Sequence, residues 1–120
     1  MSKIRKSDDY EKRPWGEFFV IHTSNDFKIK KIVVNKNSRL SYQFHEGRSE
    51  TWIIIKGKAK ITINDEIFFS KEGDTVSIPK RAKHRVENIS SSDLIFIEVQ
   101  TGDYFDENDI IRIDDDYKRV

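Results

Sequence analysis

Short apolar runs, separated by polar turn residues, recur along most of the chain. Runs rich in Ile, Val, Phe and Thr predict eight strands: EFFVIH (17–22), FKIKKIVV (27–34), RLSYQF (39–44), TWIIIK (51–56), KAKITI (58–63), EIFF (66–69), TVSIP (75–79) and LIFIEVQ (94–100). Turn signals such as SND, NKNS, ND and KEGD separate them. This short, regular spacing is typical of an all-β sandwich or barrel and not of a βαβ protein.

The two ends of the chain carry weaker signals. The charged N-terminal stretch predicts a flexible arm over 1–12, with the folded domain over 13–120. The acidic tail FDENDIIRIDDDYKRV is compatible with a short helix or with an extended strand at a sheet edge. No internal repeat or low-complexity linker divides the chain, so one domain is expected.

Composition and charge narrow the classes of function. The 22 Lys and Arg residues nearly balance the 21 Asp and Glu residues, which leaves no basic excess for nucleic acid or an anionic membrane surface. The absence of cysteine excludes disulfides and thiolate metal sites. No apolar run approaches the ~20 residues of a spanning helix, and the N-terminus has no signal-like apolar core. We therefore predict a cytoplasmic protein without nucleic-acid or membrane partners.

Polar side chains share one face of two predicted strands. Gln43 and His45 alternate with apolar residues in RLSYQFH, and Glu98 and Gln100 do so in LIFIEVQ. Residues two apart on a strand project from the same face. Such a face either meets solvent, as in many antiparallel sheets, or points into the barrel, where polar groups must be satisfied or used. The alternation by itself leaves both arrangements open.

The spacing of eight residues resembles the two cupin motifs, G-x5-H-x-H-x3,4-E-x6-G and G-x5-P-x-G-x2-H-x3-N. These residues are Gln43, His45, Glu50, Gly57, Gly73, Pro79, His84 and Asn88. In cupins the histidines and the glutamate bind one metal inside a small jelly-roll barrel, so the resemblance implies an all-β cupin jelly-roll. Asn37, Gln43 and Arg81 stand where the motifs have Gly, His and Gly.

Longer segments narrow this resemblance to one cupin family. RPWG (13–16), LSYQFHEGRSETW, IPKRAKHRVEN and EVQTGDYFDENDIIRIDDDY together resemble the isomerase domain of type II phosphomannose isomerases. That family implies a divalent metal and interconversion of mannose 6-phosphate and fructose 6-phosphate. Its domain is often fused behind a mannose-1-phosphate guanylyltransferase domain, so the resemblance implies a separately encoded nucleotidyltransferase as a candidate partner of this chain.

One departure from the family pattern affects the expected activity. Family members usually read close to Q-x-H-H-H-R-x-E-H-W, whereas this chain reads Q-F-H-E-G-R-S-E-T-W. Glu46, Gly47 and Thr51 therefore stand where further histidines would be. If those histidines orient substrate or move a proton, the chain would act on a related sugar phosphate, act slowly, or only bind.

The predicted metal ligands are Gln43, His45, Glu50 and His84. Two imidazoles, a carboxylate and an amide oxygen suit one divalent ion such as Zn, Mn, Co, Ni or Fe, with positions left for substrate. The third histidine, His22, lies outside the motif spacing.

Isomerisation through an enediol also needs a base and a cation for the phosphate. Glu98 is the predicted base, because burial inside a barrel would raise its pKa. Arg48 shares the parity of Glu50 and is predicted to contact substrate and assist catalysis. Four more residues are expected to bind substrate: Lys30, Arg85, Gln100 and Arg112. A solvent-facing Glu98 and a solvated Lys28–Lys30 pair are the alternatives.

The sequence leaves two questions undecided: the roles of three aromatic residues and the choice among three functions. Trp15, Trp52 and Tyr104 are either stacking surfaces for a sugar ring or core residues. The chain is predicted to be an isomerase, with a non-catalytic binding or assembly module and another metal-dependent cupin enzyme, such as an iron oxygenase, as alternatives. A homodimer is expected, as is common for cupins.

Overall fold

The computed structural model describes residues 9–106 and 108–119, which form strands joined by short loops. In chain order the strands are β1 (Tyr10–Arg13), β2 (Gly16–Thr23), β3 (Phe27–Val34), β4 (Tyr42–Phe44), β5 (Arg48–Lys56), β6 (Lys58–Ile63), β7 (Glu66–Lys71), β8 (Thr75–Ile78), β9 (His84–Asn88), β10 (Leu94–Gly102) and β11 (Ile111–Asp114). Within these ranges no helix is long and apolar enough to cross a membrane.

The strands build two antiparallel sheets. One has six strands in the order β1-β2-β3-β10-β5-β8, and the other has five in the order β11-β4-β9-β6-β7. Strand β10 lies between β3 and β5, and β9 lies between β4 and β6, so neighbours in each sheet are often distant in sequence. Such crossovers join segments that approach only in the folded protein. The prediction of a single all-β domain is confirmed.

The hydrophobic core lies between the inner faces of the two sheets. Its members are Trp15, Phe18, Ile32, Val34, Trp52, Ile54, Ala59, Ile61, Ile78, Ala82, Val86, Leu94 and Phe96. On β5 and β10 alternate residues are buried, as the period of two along a strand requires. Because Phe96 pairs with Ile54, the apolar parts of these two strands lie side by side.

The same inner faces become polar further along each strand. Arg48 and Glu50 precede Trp52 on the buried face of β5, while Glu98 and Gln100 follow Phe96 on that of β10. Gln100 pairs with Glu50 across the sheet, so the polar parts of the two strands also coincide. The core therefore ends where a buried polar region begins.

Three strands were not predicted from the hydrophobic pattern. Strand β9, HRVEN, buries His84, Val86 and Asn88, so its inner face is mostly polar and gives little apolar signal. Strand β11 shows that Ile111–Asp114 adopt the extended alternative, paired with β4. Strand β1 pairs with β2 over part of the arm expected for 1–12. Residues 1–8 of that arm lie outside the described residues.

Gly16 lets β2 begin directly against β3. Its φ is +154°, and a Cβ built there would lie 2.0 Å from the carbonyl oxygen of Val33. No side chain fits at that distance, so the start of β2 requires glycine. Gly73 has a φ of +89°, but a Cβ there would meet nothing within 4 Å.

These two glycines predict different costs for the same substitution. Gly73→Ala should lower the free energy of unfolding by about 1–2 kcal/mol, because only the left-handed backbone conformation opposes it. Gly16→Ala should cost clearly more, since the β2 and β3 backbones must also separate. Urea unfolding of both variants measures the difference. Equal losses of unfolding free energy in the two variants would show that the close approach of Gly16 to Val33 does not affect stability.

Candidate active site

Polar side chains from four strands point into one end of the interior. His45, at the end of β4, Glu50 on β5, His84 on β9 and Glu98 on β10 are all buried. Of the two arrangements that the alternation left open, the structure has the inward one. Strands β4 and β9 bring the motif residues together through the register pair of Gln43 with His84.

Three of the four predicted metal ligands form one compact cluster. One nitrogen from each of His45 and His84 and one oxygen of Glu50 all lie within 4.8 Å of one another. Glu50 Oε2 is 3.1 Å from His45 Nε2, and Oε1 is 3.9 Å from His84 Nε2. Gln43 lines the adjacent cavity, where its Oε1 accepts a hydrogen bond of 2.6 Å from Ser41.

Backbone carbonyls fix the tautomer of both histidines. His45 Nδ1 lies 2.6 Å from the carbonyl oxygen of Asp109, and His84 Nδ1 lies 2.9 Å from that of Ala82. A carbonyl only accepts, so each Nδ1 donates, and Nε2 is the ring atom that faces Glu50, as a donor when the ring is protonated or as a metal ligand when it is neutral. His84 Nε2 is buried without a hydrogen-bond partner among the described residues. Two Nε2 atoms and a carboxylate that face one another can share a bound cation, so the residues fit a metal ion.

The charge of Glu50 is balanced from several sides. Arg48 Nε donates to its Oε2 at 3.2 Å, and Trp52 Nε1 donates to its Oε1 at 2.9 Å. Burial alone would raise the pKa of Glu50, but His45, His84 and Arg48 hold it well below its usual value. For His45 the effects are reversed. Burial alone would lower its pKa, but the hydrogen bond and the charge of Glu50 outweigh burial and raise this pKa above its usual value. An ionised carboxylate that favours a proton on His45 would equally favour a divalent cation there.

Trp52 is a core residue that also donates a hydrogen bond to Glu50, a role that sequence reasoning missed. Its ring is buried against Phe96 at a centroid distance of 5.0 Å, while its Nε1–H orients Glu50. The available signal was parity, because Trp52 lies two residues after Glu50 on the same strand. Of the other two aromatics, Trp15 is buried and lines the cavity, whereas Tyr104 is 48% exposed.

The loop between β10 and β11 holds His45 through Asp109, another residue that sequence reasoning missed. Besides its carbonyl contact, Asp109 accepts hydrogen bonds through its carboxylate from the backbone N–H groups of Glu46 and Gly47, at 3.0 and 2.8 Å. The fit is close, because a Cβ on Gly47 would lie 2.7 Å from Tyr104 Cβ. The loop thus fixes both the tautomer and the position of His45.

Glu98 lies in the environment expected of a general base. Burial, with the charge of Glu50, raises its pKa to about 7, although Lys30 and Arg48 act in the opposite direction. Lys30 is its register partner on β3, and Gln100 Nε2 donates to its Oε1 at 2.5 Å. Glu98 lines the cavity, whereas Gln100 is fully buried behind it. Gln100 therefore orients Glu98, and its predicted contact with substrate stays a prediction.

A cavity beside the cluster is rich in cations. The charged residues that line it are Arg13, Lys30, Arg48, Glu50, Glu98, Arg112 and Arg119. Five cations face two carboxylates, so the cavity favours an anionic ligand. Lys30 is only 3% exposed, with Nζ 4.1 Å from the centroid of the Phe18 ring, so the solvated alternative for this lysine is wrong.

Arg85 is the predicted substrate-binding residue that the structure places elsewhere. It follows His84 on β9 and therefore projects from the opposite face of the strand. Its Nε donates to the carbonyl oxygen of Leu40 at 2.9 Å, and its Nη2 forms an ion pair of 3.0 Å with Asp114. Its guanidinium is thus held by these groups and does not line the cavity, and the predicted contact of Arg85 with substrate stays a prediction.

Arg119 is brought to the cavity by a carboxylate in its own segment. Its Nε and Nη2 donate to the two oxygens of Asp115, at 2.8 and 3.1 Å. Burial would raise the pKa of Asp115, but Arg119 and nearby backbone N–H groups lower it to about 2. The Asp115 carboxylate is therefore a fixed anchor for this arginine.

Solved structures of cupins share the fold of this chain. The cupin domain of Cnp3 from Schizosaccharomyces pombe aligns with a TM-score of 0.70 over 72% of this chain and 64% of that chain, at 15% identity. The capsular polysaccharide assembling protein CapF from Staphylococcus aureus aligns with a TM-score of 0.76 over 88% of this chain and 34% of that chain, at 21% identity. Identities this low show the fold alone, and the predicted jelly-roll fold is confirmed.

The sequence relationship is more specific. The family described as Mannose-6-phosphate isomerase C-terminal matches residues 3–115, and the chain belongs to that family. The mannose-1-phosphate guanylyltransferase ManC of Salmonella typhimurium is 38% identical over 108 residues, which are 90% of this chain and 22% of that protein. The alginate biosynthesis protein AlgA of Pseudomonas aeruginosa is 39% identical over 108 residues, with the same coverage. The chain thus spans about a fifth of the length of these curated relatives.

The Asp115 anchor predicts a pH-dependent contribution to stability. The folded-state pKa of about 2 lies below the ordinary value of 3.8, so this contribution is full above that value and disappears as the pH falls through the folded pKa. Asp115→Asn should lower the free energy of unfolding at pH 7 by about 1–3 kcal/mol, because a charge-assisted network is lost.

Urea unfolding of the wild type and Asp115→Asn between pH 7 and pH 2 tests this. The gap between the two proteins should narrow below about pH 4, where the unfolded-state carboxyl protonates. Asp116→Asn is the matched control, because Asp116 pairs with Arg39 on the surface and should contribute little. A gap that stays constant across this range would contradict the assigned role.

Proposed function

We propose that the protein is a metal-dependent aldose-ketose isomerase that interconverts mannose 6-phosphate and fructose 6-phosphate. The observation that carries this proposal is the buried His45–Glu50–His84 cluster beside a cavity lined by cations. Membership of the mannose-6-phosphate isomerase C-terminal family supports it.

His45, Glu50 and His84 would hold one divalent ion, with the amide oxygen of Gln43 as a fourth donor from the neighbouring cavity wall. Zn, Mn, Co, Ni and Fe all accept imidazole and carboxylate ligands. When bound, the ion would act as a Lewis acid that polarises the sugar carbonyl. Trp52 and Arg48 hold the Glu50 carboxylate, and two backbone carbonyls hold the imidazoles, so the donors are oriented in advance.

Glu98 would carry the proton between C1 and C2 of the sugar. A pKa near neutrality lets a carboxylate take a proton and return it at similar pH, which both directions of the isomerisation require. Gln100 fixes one of its oxygens by hydrogen bonding. Lys30, buried across the sheet, would limit the cost of the ionised form.

Arg48 would stabilise the negative charge that develops on the enediolate oxygens. It is 3% exposed, and Glu50 and the backbone carbonyl of Asp106 hold its guanidinium. A donor fixed in a region with little water needs little reorganisation during the reaction. Its side chain lines the cavity, so remaining N–H groups can meet substrate oxygens.

Removal and return of metal provide the first test. Chelator-treated protein should lose conversion of mannose 6-phosphate and regain it with one of the five metals. His84→Ala should lower metal affinity by at least about 100-fold, because one of the direct metal ligands is lost. The control is His22→Ala, which changes a histidine on an exposed part of β2. Metal content is measured after dialysis alongside turnover. Full metal retention in His84→Ala would remove the proposed site.

The role of Glu98 predicts a separate loss. Glu98→Gln preserves the shape of the side chain but cannot accept the proton, so kcat should fall by about 10²–10⁴-fold with metal content unchanged. Glu66→Gln on the exposed edge strand β7 provides the matched control. Steady-state kinetics with mannose 6-phosphate measure both variants. An unchanged kcat in Glu98→Gln would exclude this residue as the base.

A second candidate function is a non-catalytic sugar-phosphate-binding or assembly module. Glu46, Gly47 and Thr51 replace the histidines of the family pattern, which favours this alternative. CapF, which shares the fold, is named as a capsular polysaccharide assembling protein. Such a module would bind metal and sugar phosphate without turnover. An iron-dependent oxygenase is the third possibility, and oxygen consumption by the iron-loaded protein would reveal it.

The partner and location assignments are part of the same proposal. The relatives include guanylyltransferases of which this chain spans about a fifth, and this supports a separate nucleotidyltransferase as a partner. A homodimer and a cytoplasmic location stay predictions from sequence.

A further inference from the structure

Two arginines that sequence reasoning did not select line the cavity from opposite ends of the described chain. Arg13 ends β1, and Arg119 lies beyond β11. Their side chains are 24% and 23% exposed, whereas those of Lys30 and Arg48 are almost completely buried. The cavity thus has deep cations near the cluster and more accessible cations towards solvent.

The deep cations already have negative partners. Arg48 forms an ion pair of 3.2 Å with Glu50, and Lys30 is the register partner of Glu98. These two cations are therefore engaged with the carboxylates proposed for metal binding and for proton transfer. A ligand with a doubly charged group needs further cations, and it loses less hydration where the cavity meets solvent.

Arg13 and Arg119 are each oriented by a carboxylate but keep donors outside that pair. Arg119 gives Nε and Nη2 to Asp115, which leaves its Nη1 amino group outside the interaction. Arg13 gives Nη1 to Glu11 at 2.7 Å, and its guanidinium carbon lies 5.2 Å from the centroid of the Phe18 ring. Side chains held in this way lose less conformational entropy when a ligand binds.

We propose that Arg13 and Arg119 form the subsite for the phosphate group of the ligand, at the open side of the cavity. The proposal rests on the proposed function, in which the sugar carbonyl lies at the His45–Glu50–His84 cluster. Guanidinium groups match phosphate oxygens in geometry and charge, which suits them to bind a phosphate monoester. Because these two cations would contact the phosphate group, this subsite would select phosphorylated sugars over free sugars.

Titration calorimetry on the whole chain tests this without relying on turnover. The ligands are fructose 6-phosphate, inorganic phosphate and fructose, and the variants are Arg13→Gln and Arg119→Gln. Each variant should weaken binding of fructose 6-phosphate and of inorganic phosphate by about tenfold or more, because a charge-assisted hydrogen bond is lost. Binding of neutral fructose should not change. Arg119→Lys, which keeps the charge but not the planar donor group, should fall between the wild type and Arg119→Gln.

Arg39→Gln is the matched control. Arg39 pairs with Asp116 on the surface, at 2.7 Å, and does not line the cavity. Its substitution removes the same charge and should leave phosphate binding unchanged. Melting temperatures of all variants show whether any of them has lost its fold. If Arg39→Gln weakens phosphate binding equally, the effect comes from the net charge of the protein and not from a subsite. If Arg13→Gln and Arg119→Gln bind phosphate normally, the proposal is overturned.

The same data separate the subsite from the isomerase activity. If fructose 6-phosphate binding depends on both arginines but no isomerisation occurs, the subsite stands and the proposed function fails. If the wild type isomerises mannose 6-phosphate and both variants keep its KM, the subsite is wrong and the proposed function stands. If the wild type binds neither phosphate ligand, the subsite is wrong.

Discussion

The negative charge of Glu50 inside the barrel is the constraint around which one end of the molecule is built. A buried carboxylate is costly unless charges and hydrogen bonds surround it. Here Arg48 and Trp52 donate to its oxygens, and two imidazoles face it. Because both Nδ1 atoms already donate to carbonyls, each imidazole turns its Nε2 towards this charge. Satisfying one anion therefore assembles a set of donors that a cation would complete.

Sheet topology supplies these partners from distant parts of the chain. Strand β10 lies between β3 and β5, and it places Glu98 beside Lys30 in the same sheet as Glu50. Strand β9 pairs with β4, which brings His84 opposite Gln43. The loop before β11 then fixes His45 through Asp109. The core beneath this region uses the same strand faces, so packing of Phe96 against Trp52 also positions the polar groups. Stability and site geometry are thus linked through two shared strands.

How much could be predicted depended on what each strand buries. The eight predicted strands are rich in Ile, Val, Phe and Thr, and this composition with the regular turn spacing was sufficient to identify an all-β fold. Strand β9 escaped prediction because its inner face carries His84 and Asn88, the latter donating to the Val34 and Ser92 carbonyl oxygens. Motif spacing still selected His84, since ligand spacing does not depend on hydrophobicity. Arg119 could not be selected, because its approach to the cavity depends on Asp115 and on the fold of a polar tail.

The close fit at Gly47 bears on how this chain could change. The family pattern has a histidine at this position, yet a Cβ there would lie 2.7 Å from Tyr104 Cβ and 3.1 Å from an Asp109 carboxylate oxygen. A histidine could enter only after the segment containing Tyr104 and Asp109 had moved, and that segment also holds His45. A histidine at position 47 therefore could not be introduced by a single substitution without displacing this segment. Gly47 and the loop that contains Tyr104 and Asp109 pack against each other. The histidine of the family pattern therefore requires a change in this loop as well as at position 47.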